Sequence, residues 1–105
     1  MAKTTKIKTR QRSGNTTEIL CLVNHPMETG ERIDKRTHRT VPAHFIQKVI
    51  FEVNGQPVAE ADVGAAVSTD PVFVVRIRGT KPGDSVRVKW TDNKGEKGGA
   101  STTVA

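Results

Sequence analysis

The sequence predicts an all-β protein of about seven antiparallel strands. Three observations carry this. Val and Thr occur 13 times each and Ile six times, against two Leu, in a chain of 105 residues, and β-branched side chains suit a pleated sheet better than a helix. Apolar residues recur with period two in one stretch after another. Turn signals built on Gly, Pro, Asn and Asp separate those stretches.

Lys6 to Arg12 (KIKTRQR) alternates charged and less polar residues, which makes an edge or half-exposed strand with its basic side chains on one face. Ser13-Gly14-Asn15 is a turn. Glu18 to Val23 (EILCLV) is nearly all apolar. It reads as a central strand covered on both faces, with Ile19, Cys21 and Val23 on one side and Leu20 and Leu22 on the other. Residues 24–44 are long, irregular and rich in charge, Pro, Gly and Thr; loops beyond about 12–15 residues are usually functional or disordered. Phe45 to Val53 returns to a strand, with Val49, Phe51 and Val53 lining one face and Lys48, Ile50 and Glu52 the other.

Asn54-Gly55 then marks a hairpin whose two central residues need positive φ. Pro57 to Val63 is the short return strand, and its Pro points to a sheet edge. Ala65 to Pro71 is a connection. Val72 to Arg78 is a strand with Phe73, Val75 and Ile77 inward and Arg76 and Arg78 outward. Lys81-Pro82-Gly83-Asp84 matches a turn with Pro first and Gly second among its central residues. Val86, Val88 and Trp90 alternate with Arg87, Lys89 and Thr91 in the next strand, Asp92 to Gly95 turns again, and Glu96 to Val104 is the last strand. No segment makes a helix of useful length. Seven hairpin-linked strands predict an immunoglobulin-like β-sandwich of two antiparallel sheets. Cys21 and Trp90 do not fit the antibody Cys-Trp-Cys spacing, so only the sandwich follows, with a small open barrel as the alternative.

Length suits a single domain spanning 1–105. One cysteine allows no internal disulfide. The start, MAKTTKIKTRQR, is basic without an apolar run behind it, unlike a secretory signal, and no stretch approaches a membrane span. Net charge is +6 and pI about 9.9. That balance fits nucleic acid, an acidic partner or an anionic substrate, and equally a solvated basic face.

The stretch His25-Pro26-Met27-Glu28 packs several metal-capable side chains into four positions, with Cys21 before it and His38 and His44 after it. Zinc needs three or four His, Cys or carboxylate ligands brought together, and copper also accepts Met. Cys21 and His25 lie about 13 Å apart on an extended chain at ~3.3 Å per residue, so they share a metal only if the chain turns sharply. CxxC, HxH and HExxH are all missing, and no metal ligand or cofactor is assigned. The 11 acids are scattered, no Ser sits in a nucleophile elbow, and Gly98-Gly99 is not a phosphate-binding loop; no catalytic residue follows. Phe51, Phe73 and Trp90 read as core. Phe45, beside His44, is the aromatic placed for exposure, too little for a base-stacking surface. Cys21, within an apolar run, reads as a small buried hydrophobe rather than a reactive thiol.

The strings His25-Pro26-Met27-Glu28-Thr29-Gly30-Glu31-Arg32, Val41-Pro42-Ala43-His44-Phe45-Ile46, Asn54-Gly55, Val67-Ser68-Thr69-Asp70-Pro71 and Trp90-Thr91-Asp92-Asn93-Lys94-Gly95, in this order and spacing, resemble the SoxZ family. The resemblance runs from about Thr16 onward. It implies an immunoglobulin-like sandwich that pairs with a SoxY-type subunit as a heterodimer. The SoxY-type chain carries sulfur intermediates of thiosulfate oxidation on a cysteine in a Gly-Gly-Cys-Gly-Gly tail, while other Sox enzymes act on the cargo through transient contacts. It also implies a non-enzymatic role, periplasmic work, and export bound to a signal-bearing partner. The tail of this chain, Gly99 to Ala105, holds no Cys, so it is not the SoxY type. Neither nucleic acid nor a membrane is expected as a partner, and an isolated subunit is open to homodimerisation. A small basic β-domain binding a metal ion or nucleic acid is the alternative.

On this reading His25, Met27, Glu28, Gly30 and Arg32, with His44 and Phe45, contribute to partner docking. Met27 supplies a flexible apolar contact, Glu28 and Arg32 set orientation by charge, and Gly30 allows a backbone angle that side chains forbid. The competing expectation is that these residues brace the loop internally. The family usually turns through a Gly after Asp34; Lys35 to Thr40 has none, which leaves that turn open.

Overall fold

The computed structural model describes residues 4–12, 15–64 and 67–104. Seven strands form: β1 (Thr5–Arg12), β2 (Thr16–Val23), β3 (Ile46–Val53), β4 (Gln56–Asp62), β5 (Val72–Arg78), β6 (Ser85–Asp92) and β7 (Lys97–Thr103). They make two separate antiparallel sheets, one ordered β1-β2-β5 and the other β4-β3-β6-β7. Among the described residues there is no helix. The architecture is consistent with the immunoglobulin-like sandwich. Ser13 and Gly14 of the first expected turn, and Ala65 and Ala66 of the later connection, lie outside the described residues.

The hairpin chemistry behaves as the sequence predicts. Asn54 (φ +51) and Gly55 (φ +82) close the β3–β4 turn. Pro57 lies on the edge strand β4, where the register shifts between Phe51 and Glu52, and a missing N–H costs nothing at an edge. The Asp84 N–H donates to the Lys81 carbonyl, 3.0 Å away, as the Pro-Gly turn requires.

Alternation decides what faces inward. Ile19, Cys21 and Val23 of β2 meet Val49 and Phe51 of β3 and Val86, Val88 and Trp90 of β6 in one buried core. Burying each large apolar side chain is worth roughly 1.5–3 kcal/mol. The indole of Trp90 crosses the sandwich, and its Nε1–H donates to Thr5 Oγ1 of β1 at 2.9 Å. It lies over its cross-strand partner Gly98, where an added Cβ would overlap the ring. The Gly98-Gly99 pair thus has a packing reason.

One expectation needs correcting. β2 is the centre of its sheet, but only one of its faces is covered. Leu20 and Leu22 are only half-buried on the outer side, beside the exposed Val74 and Val72 of β5. The cause is architectural: the second sheet packs on one side only, and no described element covers the other. Below that apolar block the same outer face turns basic, with Arg10, Glu18 and Arg76 in one cross-strand row and Arg12, Thr16 and Arg78 in the next.

Gly98→Ala should displace the indole. The expected cost is about 1–3 kcal/mol, read as a lower urea midpoint and a shifted emission from the single Trp.

Candidate functional site

Residues 24–44 leave β2 and return to β3 as an irregular hairpin rather than a loose loop. Glu28 and His44 exchange backbone bonds: Glu28 N–H to the His44 carbonyl at 2.6 Å, and His44 N–H to the Glu28 carbonyl at 2.9 Å. Further out, Val41 N–H donates to the Arg32 carbonyl and Asp34 N–H to the Arg39 carbonyl. At the tip Asp34 Oδ1 accepts the Arg36 N–H at 2.7 Å, an Asx turn. His38 takes φ +59, so a His occupies the left-handed position otherwise expected of a Gly. Ile33 is 61% exposed along this arm, and Lys35, Arg36, His38 and Arg39 are exposed around the tip.

The base of the arm is tied to the sandwich by one buried carboxylate. On β6, Val86, Val88 and Trp90 point inward, and Asp92 continues that parity. Asp92 Oδ2 accepts from His25 Nε2–H at 3.0 Å and from His44 Nε2–H at 2.8 Å. Its Oδ1 accepts the backbone N–H groups of Lys94 and Glu96. His25 Nδ1 accepts the Met27 N–H at 3.2 Å, which places the ring proton on Nε2. The two imidazoles lie edge to face, 4.5 Å between centroids, and His25 also meets the edge of Trp90 at 5.5 Å. Burial pushes the Asp92 carboxyl up. The bonds from the His25 ring, the Glu96 N–H, the His44 ring and the Lys94 N–H outweigh it and hold the group below its ordinary value.

Ligand atoms of His25, His44 and Asp92 all lie within 4.8 Å of one another, close enough to hold an ion. Cys21 is not among them; it stays inside β2, fully buried. The protonation pattern favours a hydrogen-bonded anchor. A cation at His25 Nε2 would have to strip a proton from a ring whose Nδ1 already serves as an acceptor.

The expected docking residues divide into two groups. His25, Met27 and His44 are at most 8% exposed, so their contacts are the internal bracing ones. The chain bends at Met27, φ +52, which folds its side chain under the arm, where Sδ accepts the Ile46 N–H at 3.4 Å. Gly30 has φ +89, and an added Cβ would sit 3.2 Å from the Ala43 Cβ; both conformation and space call for Gly. Glu28 and Arg32 form a two-pronged pair on the exposed side, Nε to Oε1 at 3.0 Å and Nη2 to Oε2 at 2.6 Å. Phe45 is half-buried against the core.

Three contributors escaped the sequence reading. The sequence pattern puts Asp92 at the start of a turn, although it continues the inward parity of its strand. Asn93 clamps the end of the arm: its Oδ1 accepts the Phe45 N–H and its Nδ2 donates to the Ala43 carbonyl, both at 2.8 Å. Asp70 Oδ1 accepts the His25 N–H at 3.0 Å. Only the folded chain brings these to the arm.

Asp92→Asn replaces a charged acceptor of four hydrogen bonds with an amide whose NH2 meets donors, and should cost about 1.5–3 kcal/mol, measured by urea unfolding at pH 7. The sign of its pH dependence follows from the lowered folded value. The stabilisation is complete above the unfolded carboxyl value of about 3.9 and is lost as pH falls through the folded value. Asp92→Asn should therefore flatten the fall in stability below pH 4.

The solved structure of the superoxide reductase neelaredoxin from Archaeoglobus fulgidus, in the reduced form, is similar in fold, with a TM-score of 0.65 at 18% identity, over 96% of this chain and 88% of that one. A search of curated protein sequences returned no match. The family model described as sulphur oxidation protein SoxZ matches residues 5–103, including the basic first strand that the resemblance left aside. The chain belongs to the SoxZ family, subunits of the Sox sulfur-oxidation system.

Proposed function

We propose that this chain is the non-catalytic subunit of a SoxYZ-type carrier in thiosulfate oxidation. It scaffolds a SoxY-type subunit, whose C-terminal cysteine carries the sulfur intermediates, and helps dock that subunit to the other Sox enzymes. The periplasm is the compartment this role implies, with export in complex with a signal-bearing partner.

The observation that carries the division of labour is Cys21. It is the single cysteine, it is fully buried in the core, and burial pushes its thiol up to about 11. A covalent sulfur carrier needs an accessible thiolate. A member of this family with its one thiol sealed in the core must leave the cargo to a partner. The anchored arm supports a docking role of its own. Its base is fixed by Asp92, and it presents Ile33 beside the Glu28–Arg32 pair with a basic tip, an apolar contact rimmed by charge.

Native mass spectrometry of the protein purified gently from its own cells tests the assignment. The expected result is a one-to-one complex with a chain ending in a Gly-Gly-Cys-Gly-Gly-type tail, bearing sulfur adducts on that chain alone. A bare chain holding a metal ion or nucleic acid overturns it. Separately, a thiol reagent should leave Cys21 unlabelled in the native protein and label it fully once urea unfolds the chain; rapid native labelling removes the argument from burial.

A further inference from the structure

We propose that the outer face of the β1-β2-β5 sheet is the surface that binds a second protein subunit whose complementary face is acidic around an apolar centre. On the function proposed above, on which this assignment rests, that partner is the SoxY-type subunit.

The face has two parts, and the strand register defines both. Leu22 pairs with Val72 and Leu20 with Val74, which makes a two-by-two apolar block on adjacent strands. Val72 is 54% and Val74 53% exposed. A run as apolar as that of β2 belongs to strands covered on both sides, yet among the described residues nothing packs on this one. Around the block sit Lys6 and Lys8 on β1, and beyond it Arg10, Arg12, Arg76 and Arg78. On the strands themselves one acid, Glu18, stands among these six cations, and it is already engaged by Arg12 at 3.1 Å and Arg76 at 3.2 Å; Asp70 borders Lys6 and Leu22 at the end of the sheet and is engaged by the His25 N–H. A hollow of about 410 Å³ lined by Arg12, Thr16, Arg76 and Arg78 opens in the basic half, space enough to admit acidic side chains.

The outer face of the other sheet shows that this asymmetry is not a general property of a basic protein. There Lys48 pairs with Glu60 at 2.6 Å and Lys89 with Glu52 at 3.3 Å. That face neutralises much of its own charge; the β1-β2-β5 face does not.

Charge selects the occupant. A second copy of this chain would set six cations against six, and like charges across an interface cost several kcal/mol. A nucleic acid would place phosphates over the apolar block, and Phe51 and Trp90, which stacking would need, are in the core. A protein face with an apolar ridge flanked by carboxylates satisfies both halves. The ridge covers Leu20, Leu22, Val72 and Val74, and the carboxylates meet the arginines with two-pronged bonds.

Binding of the SoxY-type subunit from the same organism, measured by calorimetry at several salt concentrations, tests this with two double variants of the full chain. Val72→Thr/Val74→Thr keeps side-chain shape and strand propensity while removing apolar surface. Lys6→Glu/Arg78→Glu reverses charge at positions whose cross-strand partners are Leu22 and Thr16, away from the Glu18 row. Urea unfolding verifies that both variants keep the wild-type midpoint. Each variant should weaken binding at least about tenfold, and the charge reversal should also flatten the salt dependence. Wild-type binding with both folded variants unchanged overturns the surface and leaves the function standing. No binding by the wild-type chain overturns the function and this assignment together. A homodimer of the isolated chain that Val72→Thr/Val74→Thr dissociates overturns it in favour of a second copy.

Discussion

The carboxylate of Asp92 holds together the loop end of the sandwich. It ends the inward alternation of β6, at the position where the core gives way to the loops, and accepts four hydrogen bonds. Two come from imidazoles at opposite ends of the long connection, one just after β2 and one just before β3. Two come from the turn that leads into β7. A buried carboxylate is costly unless its lone pairs are filled; here the groups that fill them are those that must be held. The connection is thereby pinned at both ends, and the residues between His25 and His44 stand out as a braced arm. The elongated shape of the molecule, 53 × 22 × 19 Å, suits a sandwich extended in this way.

The two sheets are not equivalent. Both give one face to a shared core built on Ile19, Cys21, Val49, Phe51, Val88 and Trp90. Their outer faces diverge. The four-stranded sheet matches Lys48 and Lys89 with glutamates across the strands, the ordinary way to keep a face soluble. The three-stranded sheet places four aliphatic side chains and six cations outward with a single acid. A strand as apolar as β2 without a cover on one side is unusual in a monomer. It makes sense in a subunit whose surface is completed by another chain.

Burial of Cys21 links fold to role. The same alternation that points Ile19 and Val23 inward points the thiol inward, away from water and from any cation that would stabilise the thiolate. The proposed division between a scaffold chain and a cargo-bearing chain rests on this placement together with the family assignment. The His25–Asp92–His44 trio fits the same division, since its Asp92 carboxylate and both Nε2–H groups are engaged in holding the arm.

Strands, their parity and most of their turns were legible in the residue pattern. Period-two patterning in Phe45 to Val53 and Val86 to Trp90 is a local property, and so is the positive φ demanded at Asn54-Gly55. The family strings at His25 to Arg32 and Trp90 to Gly95 were also legible, because they are contiguous. What those strings contact is set by the folded chain. His25 and Asp92 are 67 residues apart, and no local pattern says that a His after one strand will donate to an Asp at the end of another. Parity alone hinted that Asp92 faces inward. The bend at Met27, which carries a side chain expected at a partner's surface into the interior, is set by the anchor and not by residue preference. The uncovered side of β2 was equally hidden: an apolar strand reads the same whether its second face meets the same chain or a different one.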